Sequence, residues 1–383
     1  MEKQIVHIAI LLSLLSSGFN WTLSQSQSDI NHSDVVLDSI TMGKDSLKTY
    51  KPTFNGYPYA FYSPETEFAV GAGGIYVFYT AKDSIMYPSK IGFGGYYSTL
   101  KNYKISINPA FYFFENKLFV RAPVSYGFFV DKYWGKGDDT EDTGNEQYSR
   151  QDFSATLYVQ SPPKVFAADR SGLVIDYNHT EIVDRMDNDL LKDPDLVGVN
   201  GGAILGFGAD LTWESRDNIF FPNKGGYQYF KFLYYAPILA NYKFLDFELD
   251  VRQYWAIKTD QVIAANFYVR SVTGDTPFYK LPALGGSQRM RGYFYGRYRD
   301  DAYMMLQTEY RQYFWRRFGF VVFAGLGNVS DGLLNYNFST MKYSFGGGLR
   351  FKFNKVQKIN LRMDIGIGQD GNRGIYFGIE EAF

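Results

Sequence analysis

Segments in which apolar and polar residues alternate constrain this chain most. Residues 103–114, 245–255 and 359–367 alternate in this way over nine to twelve residues each. Side chains of a β-strand point to opposite faces in turn, so each segment predicts a strand with one apolar and one polar face. The chain is therefore predicted to be an all-β protein.

The length of these segments favours a transmembrane barrel over a soluble β-sandwich. A sandwich strand usually has about 5–6 residues, whereas a tilted strand needs about 9–11 residues to cross a bilayer. Sixteen segments fit, and a single-chain bacterial barrel requires an even number of antiparallel strands. They are 57–62, 67–79, 89–99, 103–114, 118–129, 150–160, 172–182, 200–214, 226–238, 243–256, 261–272, 303–314, 318–328, 342–353, 358–368 and 374–383.

Composition supports this prediction and excludes several classes of protein. Aromatic residues make up 19% of the chain, and aromatic girdles border the lipid-facing band of a membrane barrel. The mean hydropathy of −0.26 excludes a helical multi-span membrane protein. The chain has no cysteine and a net charge of −1, so we expect no disulfide, no thiolate site and no nucleic-acid partner.

The N-terminal residues predict export from the cytoplasm. Lys3 precedes an apolar run at 5–19 that is too short for a comfortable membrane helix. Residues 1–25 are therefore predicted to be a signal peptide, with an N-terminal helical anchor as the alternative. The polar residues 26–55 predict a flexible periplasmic lead-in. Residues 56–383 are predicted to form one closed barrel.

Connection lengths predict which side of the barrel faces outward. Each of the four longest connections follows an odd-numbered segment, so all four lie on one side of the membrane. Long outer loops and short periplasmic turns are the expected asymmetry of such barrels. The four connections are 130–149, 183–199, 273–302 and 329–341.

The longest connection is the sixth outer loop on this map, and its composition is unusual. Gly285 and Gly286 give its backbone freedom. A basic and aromatic run follows, centred on Arg291, Gly292 and Tyr293. The residues alone leave three interpretations open: an exposed surface loop, a nucleic-acid patch, or a plug that folds back into the barrel.

Several stretches resemble one family of barrels. Together, and in this order, they resemble the bacterial surface antigen barrel of the BamA/TamA superfamily, in a form without POTRA domains. The resemblance spans residues 57–383. The stretches are GYPYAFYSPETEFAVGAG at 56–73, LTWESRDNIFFPNKGGYQYF at 211–230, LGGSQRMRGY at 284–293 and LQTEYRQYFWRR at 306–317.

The resemblance implies a closed barrel of sixteen strands in the bacterial outer membrane, with the sixth outer loop folded inward. Arg291 would then contact acidic residues of the inner wall, and Glu309 is the matching acid in this chain. The family's second acid belongs to a Phe-x-Asp-x-Gly pattern. Here that pattern reads Phe323 to Gly327, with Gly325 in place of the aspartate. Either Arg291 relies on Glu309 alone, or the loop docks differently.

Two further motifs follow from the resemblance. A terminal aromatic residue on the last strand is typical of outer-membrane barrels, and Phe383 takes that place. The second motif is predicted to be a periplasmic turn, because Asp and Asn form local hydrogen bonds and Gly permits positive φ; a recruitment surface is the alternative. Its residues are Arg216, Asp217, Asn218, Pro222 and Gly225.

The resemblance implies assembly or translocation of outer-membrane or surface molecules. The 30 residues of the lead-in are too few for a POTRA module, so a periplasmic or outer-membrane protein partner would recruit the substrate, beside outer-membrane lipid. Pro58, Gly374 and Gly378 would weaken pairing between the first and last strands. The alternative is a passive channel or a structural surface barrel with no insertase activity.

No enzyme, cofactor or metal site is predicted. The predicted mature chain has two histidines, of which His32 lies in the lead-in and His179 lies on a strand face opposite Asp176. Nothing in the pattern holds a nucleophile or an acid against either histidine. The acidic run at 138–142 predicts a solvated outer loop rather than a weak calcium site.

Overall fold

The computed structural model describes residues 50–81, 85–162, 165–186, 188–239, 242–354 and 358–383. The predicted signal peptide and residues 26–49 of the lead-in lie outside these ranges. Within them, no helix is long and apolar enough to cross a membrane.

Sixteen antiparallel strands form the barrel wall. The first segments are β1 (Thr53–Ser63), β2 (Glu67–Phe78), β3 (Ser89–Ser98), β4 (Tyr103–Phe113), β5 (Leu118–Arg121), β6 (Val124–Lys132), β7 (Gln147–Ser161), β8 (Arg170–Asp184) and β9 (Gly202–Glu214). The remaining segments are β10 (Gly225–Ala236), β11 (Phe244–Lys258), β12 (Gln261–Gly274), β15 (Ala302–Trp315), β16 (Phe318–Ser330), β17 (Lys342–Asn354), β18 (Ile359–Gly368) and β19 (Arg373–Ile379). Two short strands, β13 (Ala283–Leu284) and β14 (Tyr298–Arg299), form a separate ribbon inside the longest loop.

The segments β5 and β6 are two pieces of one barrel strand. Both pair with β4 on one side and with β7 on the other. Ala122 and Pro123 interrupt the ladder between them, because proline has no N–H to donate. Counting these two pieces once gives sixteen strands, and β1 pairs with β19 to close the sheet.

Both ends of the barrel differ from the sequence prediction. The barrel begins three residues before residue 56, because Thr53 already pairs with Val77 of β2. The last strand ends at Ile379, so the prediction that it continues to Phe383 was wrong. Glu380 has a φ of 70°, which turns the backbone out of the extended conformation and ends the ladder.

The two faces of the wall differ in polarity. Leu173, Leu306 and Leu349 are exposed on the outer face, which faces lipid. Asp246 and Arg252 of β11 are buried on the inner face. This alternation matches the period of the sequence and gives a polar lumen inside an apolar cylinder.

The four long outer connections contact one another above the wall. Gly137 pairs with Arg299 in an isolated bridge, and Arg297 donates to the Thr140 carbonyl oxygen at 2.7 Å. Phe278 donates its N–H to the Val197 carbonyl oxygen at 2.9 Å. The base of the longest loop is therefore held by two of its neighbours before the chain turns into the barrel.

Candidate functional site

The site is built around the tip of the longest loop, residues 285–297, called the loop tip below. Gly285 and Gly286 start it with φ angles of 111° and 108°, a region that favours glycine. A Cβ on Gly285 would lie 2.2 Å from the Phe294 carbonyl oxygen. The two glycines therefore let the two arms of the loop approach closely below the β13–β14 ribbon.

Arg291 is the charged centre of the loop tip. Its Nη1 lies 2.6 Å from Asp364 Oδ2, and its Nη2 contacts Glu309 Oε1. All three side chains are 0% exposed. The guanidinium also lies 3.6 Å from the ring centroid of Phe323, where a cation is attracted to the aromatic face. The structure thus brings Arg291 and Glu309 together and adds a second carboxylate.

Asp364 of β18 is the acid that the motif comparison missed. Residue 325, where the family pattern expects aspartate, is closely packed. A Cβ on Gly325 would lie 3.1 Å from the sulfur of Met290 and 3.2 Å from Gln307 Cβ. Alternation over 359–367 places Asp364 on the polar face, but period alone does not say which lumenal acid meets Arg291.

Each carboxylate that binds Arg291 also binds a second arginine. Glu309 Oε2 accepts from Arg311 Nε at 2.8 Å, and Asp364 Oδ1 accepts from Arg350 Nη1 at 2.5 Å. All of these side chains are buried. Breaking a buried ion pair by removing one partner costs about 3–5 kcal/mol.

The network continues into the residues after β19. Arg350 Nε donates to Glu381 Oε2 at 2.7 Å, and Asn360 donates to Glu381 Oε1 at 2.6 Å. Arg311 donates to the Phe383 carbonyl oxygen at 2.8 Å. Phe383 is therefore not a lipid-facing end of the last strand but a buried residue of the inner network.

Backbone contacts also hold the loop tip on the wall. Ser344 donates to the Arg291 carbonyl oxygen. A Cβ on Gly366 would lie 2.5 Å from the Arg291 carbonyl carbon, and a Cβ on Gly368 would lie 2.5 Å from the Tyr293 ring. The inner face of β18 thus needs glycine at two positions so that the loop tip lies directly on the strand.

Tyr293 connects the loop tip to β17, to β19 and to the turn after β18. Its hydroxyl donates to the Tyr343 carbonyl oxygen at 2.8 Å and accepts from the Gln369 N–H at 2.8 Å. The Tyr376 hydroxyl of β19 donates to the Tyr293 carbonyl oxygen at 3.3 Å and accepts from the Gly292 N–H at 3.0 Å. The ring of Tyr293 is fully buried, so the three central motif residues each have partners on the wall.

The predicted periplasmic turn between β9 and β10 is an internally bonded structure. Arg216 pairs with Glu214 at 2.5 Å and lies 4.8 Å from the Tyr227 ring centroid. Its side chain is 1% exposed. A buried Arg216 favours the structural interpretation of this residue over a recruitment surface.

The other turn residues direct the chain inward. Burial raises the pKa of Asp217, but hydrogen bonds from Asn223 and Lys224 outweigh it and hold that pKa below its usual value. Asn218 Oδ1 accepts from the N–H groups of residues 220 and 221 at 2.9 and 2.8 Å. Gly225 has a φ of 93°, which permits the close return of the chain.

As a result, the turn contributes apolar side chains to the periplasmic mouth of the barrel. Pro222 is buried. The turn and the residues after β19 therefore meet below the inner ionic network. One apolar cluster contains Phe221, Tyr254, Val262, Ala264, Ala382 and Phe383.

The junction between β1 and β19 is called the seam below. Between β1 and β2 the ladder runs from Thr53–Val77 to Ser63–Glu67. In the described chain, the register across the seam has one position, Tyr62 opposite Phe377. A gap of about 30 Å³ lies along it. The seam is therefore far less paired than any other junction of the wall.

A cavity of about 750 Å³ lies in the lumen beside the loop tip. Lys90, Lys104 and Arg121 contribute positive charge to its wall, and Asp152 and Glu248 contribute negative charge. The loop tip fills the side of the lumen next to β15–β19, and this polar space is lined mainly by β1–β8 and β10–β12.

The described histidine and the acidic loop have separate surroundings. His179 is exposed on the outer face of β8, whereas the Asp176 carboxylate accepts from Tyr235 and Thr156 at 2.7 and 2.6 Å. In the acidic run, Asp138 accepts from the Thr340 hydroxyl at 2.5 Å. His32 lies outside the described residues. Within the described ranges, no group of three or more candidate ligands could hold a metal ion.

Comparison with known proteins finds a matching family and similar solved structures. The Omp85 superfamily domain matches residues 88–383. No curated protein sequence matches the chain. Solved structures that share the fold include three at low identity, and this likeness supports the architecture alone.

One similar structure is BamA from Haemophilus ducreyi lacking POTRA domains 1–3, with 13% identity, a TM-score of 0.62, and coverage of 87% of this chain and 70% of that chain. CdiB from Acinetobacter baumannii has 10% identity and a TM-score of 0.53, over 86% of this chain and 59% of that chain. CdiB from Escherichia coli has 11% identity and a TM-score of 0.51, over 87% of this chain and 63% of that chain. The chain thus spans less than two thirds of either CdiB.

Proposed function

This chain belongs to the Omp85 superfamily and is a β-barrel of the bacterial outer membrane, and on that premise we propose that it assembles or translocates outer-membrane or surface molecules through its seam. The observation that carries the proposal is the single ladder position between β1 and β19. Opening a junction of this kind breaks few backbone hydrogen bonds. Opening any other junction of the wall would break a full ladder of backbone hydrogen bonds.

The division of the lumen supports the same proposal. The loop tip is fixed to β15, β17, β18 and β19, so one side of the seam has a braced wall. The side of β1 borders the open cavity. We propose that β1 and its neighbours move while the braced side stays in place, and that lipid or a client segment enters at the seam.

A partner that recruits the substrate completes the proposal. The barrel would receive clients from a separate periplasmic or outer-membrane protein. Affinity capture from native membranes tests this part, because a specific copurifying periplasmic protein is expected. Recovery of lipid alone would argue against a partner.

The seam itself is tested with a reversible covalent lock. The chain has no cysteine, so Tyr62→Cys/Phe377→Cys introduces the only two thiols, at positions that face each other across the seam. Directly opposite strand residues have a Cα separation that a disulfide can bridge. Oxidation is expected to change the inventory of outer-membrane or surface molecules, and reduction is expected to restore it.

The matched control joins β1 to its other neighbour. Tyr62 also lies opposite Phe68 in the β1–β2 ladder, so Tyr62→Cys/Phe68→Cys forms a disulfide that leaves the seam free. We expect this control to have no effect on assembly. An unchanged inventory under the seam lock, with the disulfide shown to be complete, would refute seam-dependent assembly.

A passive channel is the second candidate function, and the polar cavity of about 750 Å³ favours it. It predicts steady ion conductance in planar bilayers and no assembly defect on depletion. The seam lock separates the two functions, because conductance through the lumen does not require the seam to open.

A further inference from the structure

We infer that Glu65 and Tyr376 hold the loop tip as a clasp across the outer end of the seam, so that the loop tip keeps the seam closed. The inference deepens the proposed function. It rests on that function for the role of seam opening in assembly or translocation. It assigns two positioning residues, one on each side of the seam, to which the sequence analysis gives no role.

The first anchor belongs to the β1 side. Glu65 lies in the turn between β1 and β2, three residues after Tyr62. Its Oε1 accepts from the Tyr295 N–H of the loop tip at 2.9 Å. The Glu65 carbonyl oxygen accepts from Asn102 Nδ2 at 2.9 Å. The turn is therefore fixed to the next hairpin as well as to the loop tip.

The second anchor belongs to the β19 side. Tyr376 precedes Phe377, the residue that forms the single ladder position. Its hydroxyl lies 3.0 Å from the Gly292 nitrogen and 3.3 Å from the Tyr293 carbonyl oxygen, accepting from the first and donating to the second. One side chain thus uses both hydrogen-bonding capacities of its hydroxyl on the loop-tip backbone.

The backbone between the two anchors is short and firmly held. Gly292 and Tyr295 are three residues apart, and the intervening Tyr293 bonds to β17 and to the turn after β18. Arg291 adds two buried ion pairs immediately before this segment. The loop tip therefore spans the seam as a braced bridge, since neither anchor can shift without moving a buried segment.

The placement of the anchors explains how a one-position ladder persists. Both anchors lie beside Tyr62 and Phe377, at the outer end of the seam. The inner end of β1 extends back to Thr53, whereas β19 ends at Ile379. A displaced loop tip would release both sides of the seam at once, which makes the loop the control element of seam opening.

Spin labels on the thiols of Tyr62→Cys/Phe377→Cys measure the state of the seam in the full chain. The residues next to both positions face the lumen, and side chains alternate along a strand. The labels at positions 62 and 377 therefore point outward. We compare the parent pair with two variants, one carrying Glu65→Ala and one carrying Tyr376→Phe, in lipid bilayers. Retained heat-modifiable migration in each variant shows that the barrel is folded.

Each variant removes neutral or charge-assisted hydrogen bonds from one anchor. Such a loss changes the equilibrium between the closed and the open seam by about two- to tenfold or more. We expect the population with a long label-to-label distance to rise about two- to tenfold. Glu65→Gln keeps an acceptor oxygen for the Tyr295 N–H and should restore the parent distribution. Glu67→Ala, an exposed carboxylate on the same hairpin, is the matched control and should leave it unchanged.

An unchanged distance distribution in both Glu65→Ala and Tyr376→Phe would overturn the clasp. That outcome leaves the proposed function intact if the disulfide lock of the seam still changes the outer-membrane inventory. The converse result, a widened seam in the variants with no effect of the lock, keeps the clasp and refutes seam-dependent assembly. The two experiments therefore fail separately.

Discussion

The two sides of the lumen are built differently although one sheet makes both. Along β15–β19 the inner wall carries paired arginines and carboxylates together with glycines that receive the loop tip. Along β1–β8 the inner wall borders a polar cavity. The loop tip therefore packs against one side of the barrel and leaves a cavity along the other side. The predictions below test this division.

Arg291→Ala is expected to have the largest effect. It leaves Glu309 and Asp364 buried beside each other without their shared cation, which costs about 3–5 kcal/mol. We expect a clear fall in the temperature of the heat-modifiable gel shift and a rise in single-channel conductance. Arg373→Ala, at an exposed position at the start of β19, is the control. Equal stability of both variants would show that the braced side does not depend on the ion pairs.

Glu309→Gln and Asp364→Asn should each destabilise the barrel less than loss of Arg291, by about 1–3 kcal/mol, because each retains a polar oxygen for the guanidinium. A double-mutant cycle with Arg291→Ala measures the two couplings in the same gel-shift assay. We expect both couplings to be substantial. If Arg291 couples to Glu309 alone, Asp364 stabilises Arg350 and not the loop tip.

Glycine substitution compares the two sides directly. Gly368→Ala places a Cβ 2.5 Å from the Tyr293 ring, whereas a Cβ on Gly92, which borders the cavity, meets its nearest atom at 3.8 Å. Overpacking costs about 1–3 kcal/mol, so Gly368→Ala should lower the gel-shift temperature and Gly92→Ala should not. Equal losses would indicate that both walls are tightly filled.

Lys104→Ala on the cavity side should have the smallest effect on stability, within about 0.5 kcal/mol. It removes a positive charge from the wall of the polar space, so the ion selectivity of any residual conductance should shift towards cations. Reversal potentials in a salt gradient measure this shift. A large loss of stability would instead assign Lys104 to a structural network.

Strand positions could be predicted from sequence because a period of two is a local property. The segment predicted at 103–114 is observed at Tyr103–Phe113, and the segment predicted at 318–328 is observed at Phe318–Ser330. The errors lie where the ladder stops for a backbone reason. Glu380 adopts a positive φ, and no alternation pattern signals that Phe383 leaves the wall.

The pairing of charges across the lumen could not be predicted in the same way. Alternation places Glu309 and Asp364 on the inner face, but many acids share that face. Which of them meets Arg291 depends on where the loop tip lies between strands that are far apart in the sequence. The stretch 56–73 does not reveal the contact of Glu65, because its partner is a backbone N–H of the loop tip 230 residues later.

The glycine at position 325 has a consequence for how such barrels are compared. Met290 occupies the space that an aspartate side chain there would use, and Asp364 delivers its carboxylate to the same guanidinium from two strands further along. Arg291 therefore needs a carboxylate at a given place in the lumen, and different strands of the barrel can supply it. A comparison of aligned positions would score this chain as lacking the second acid, whereas the protein supplies it from β18.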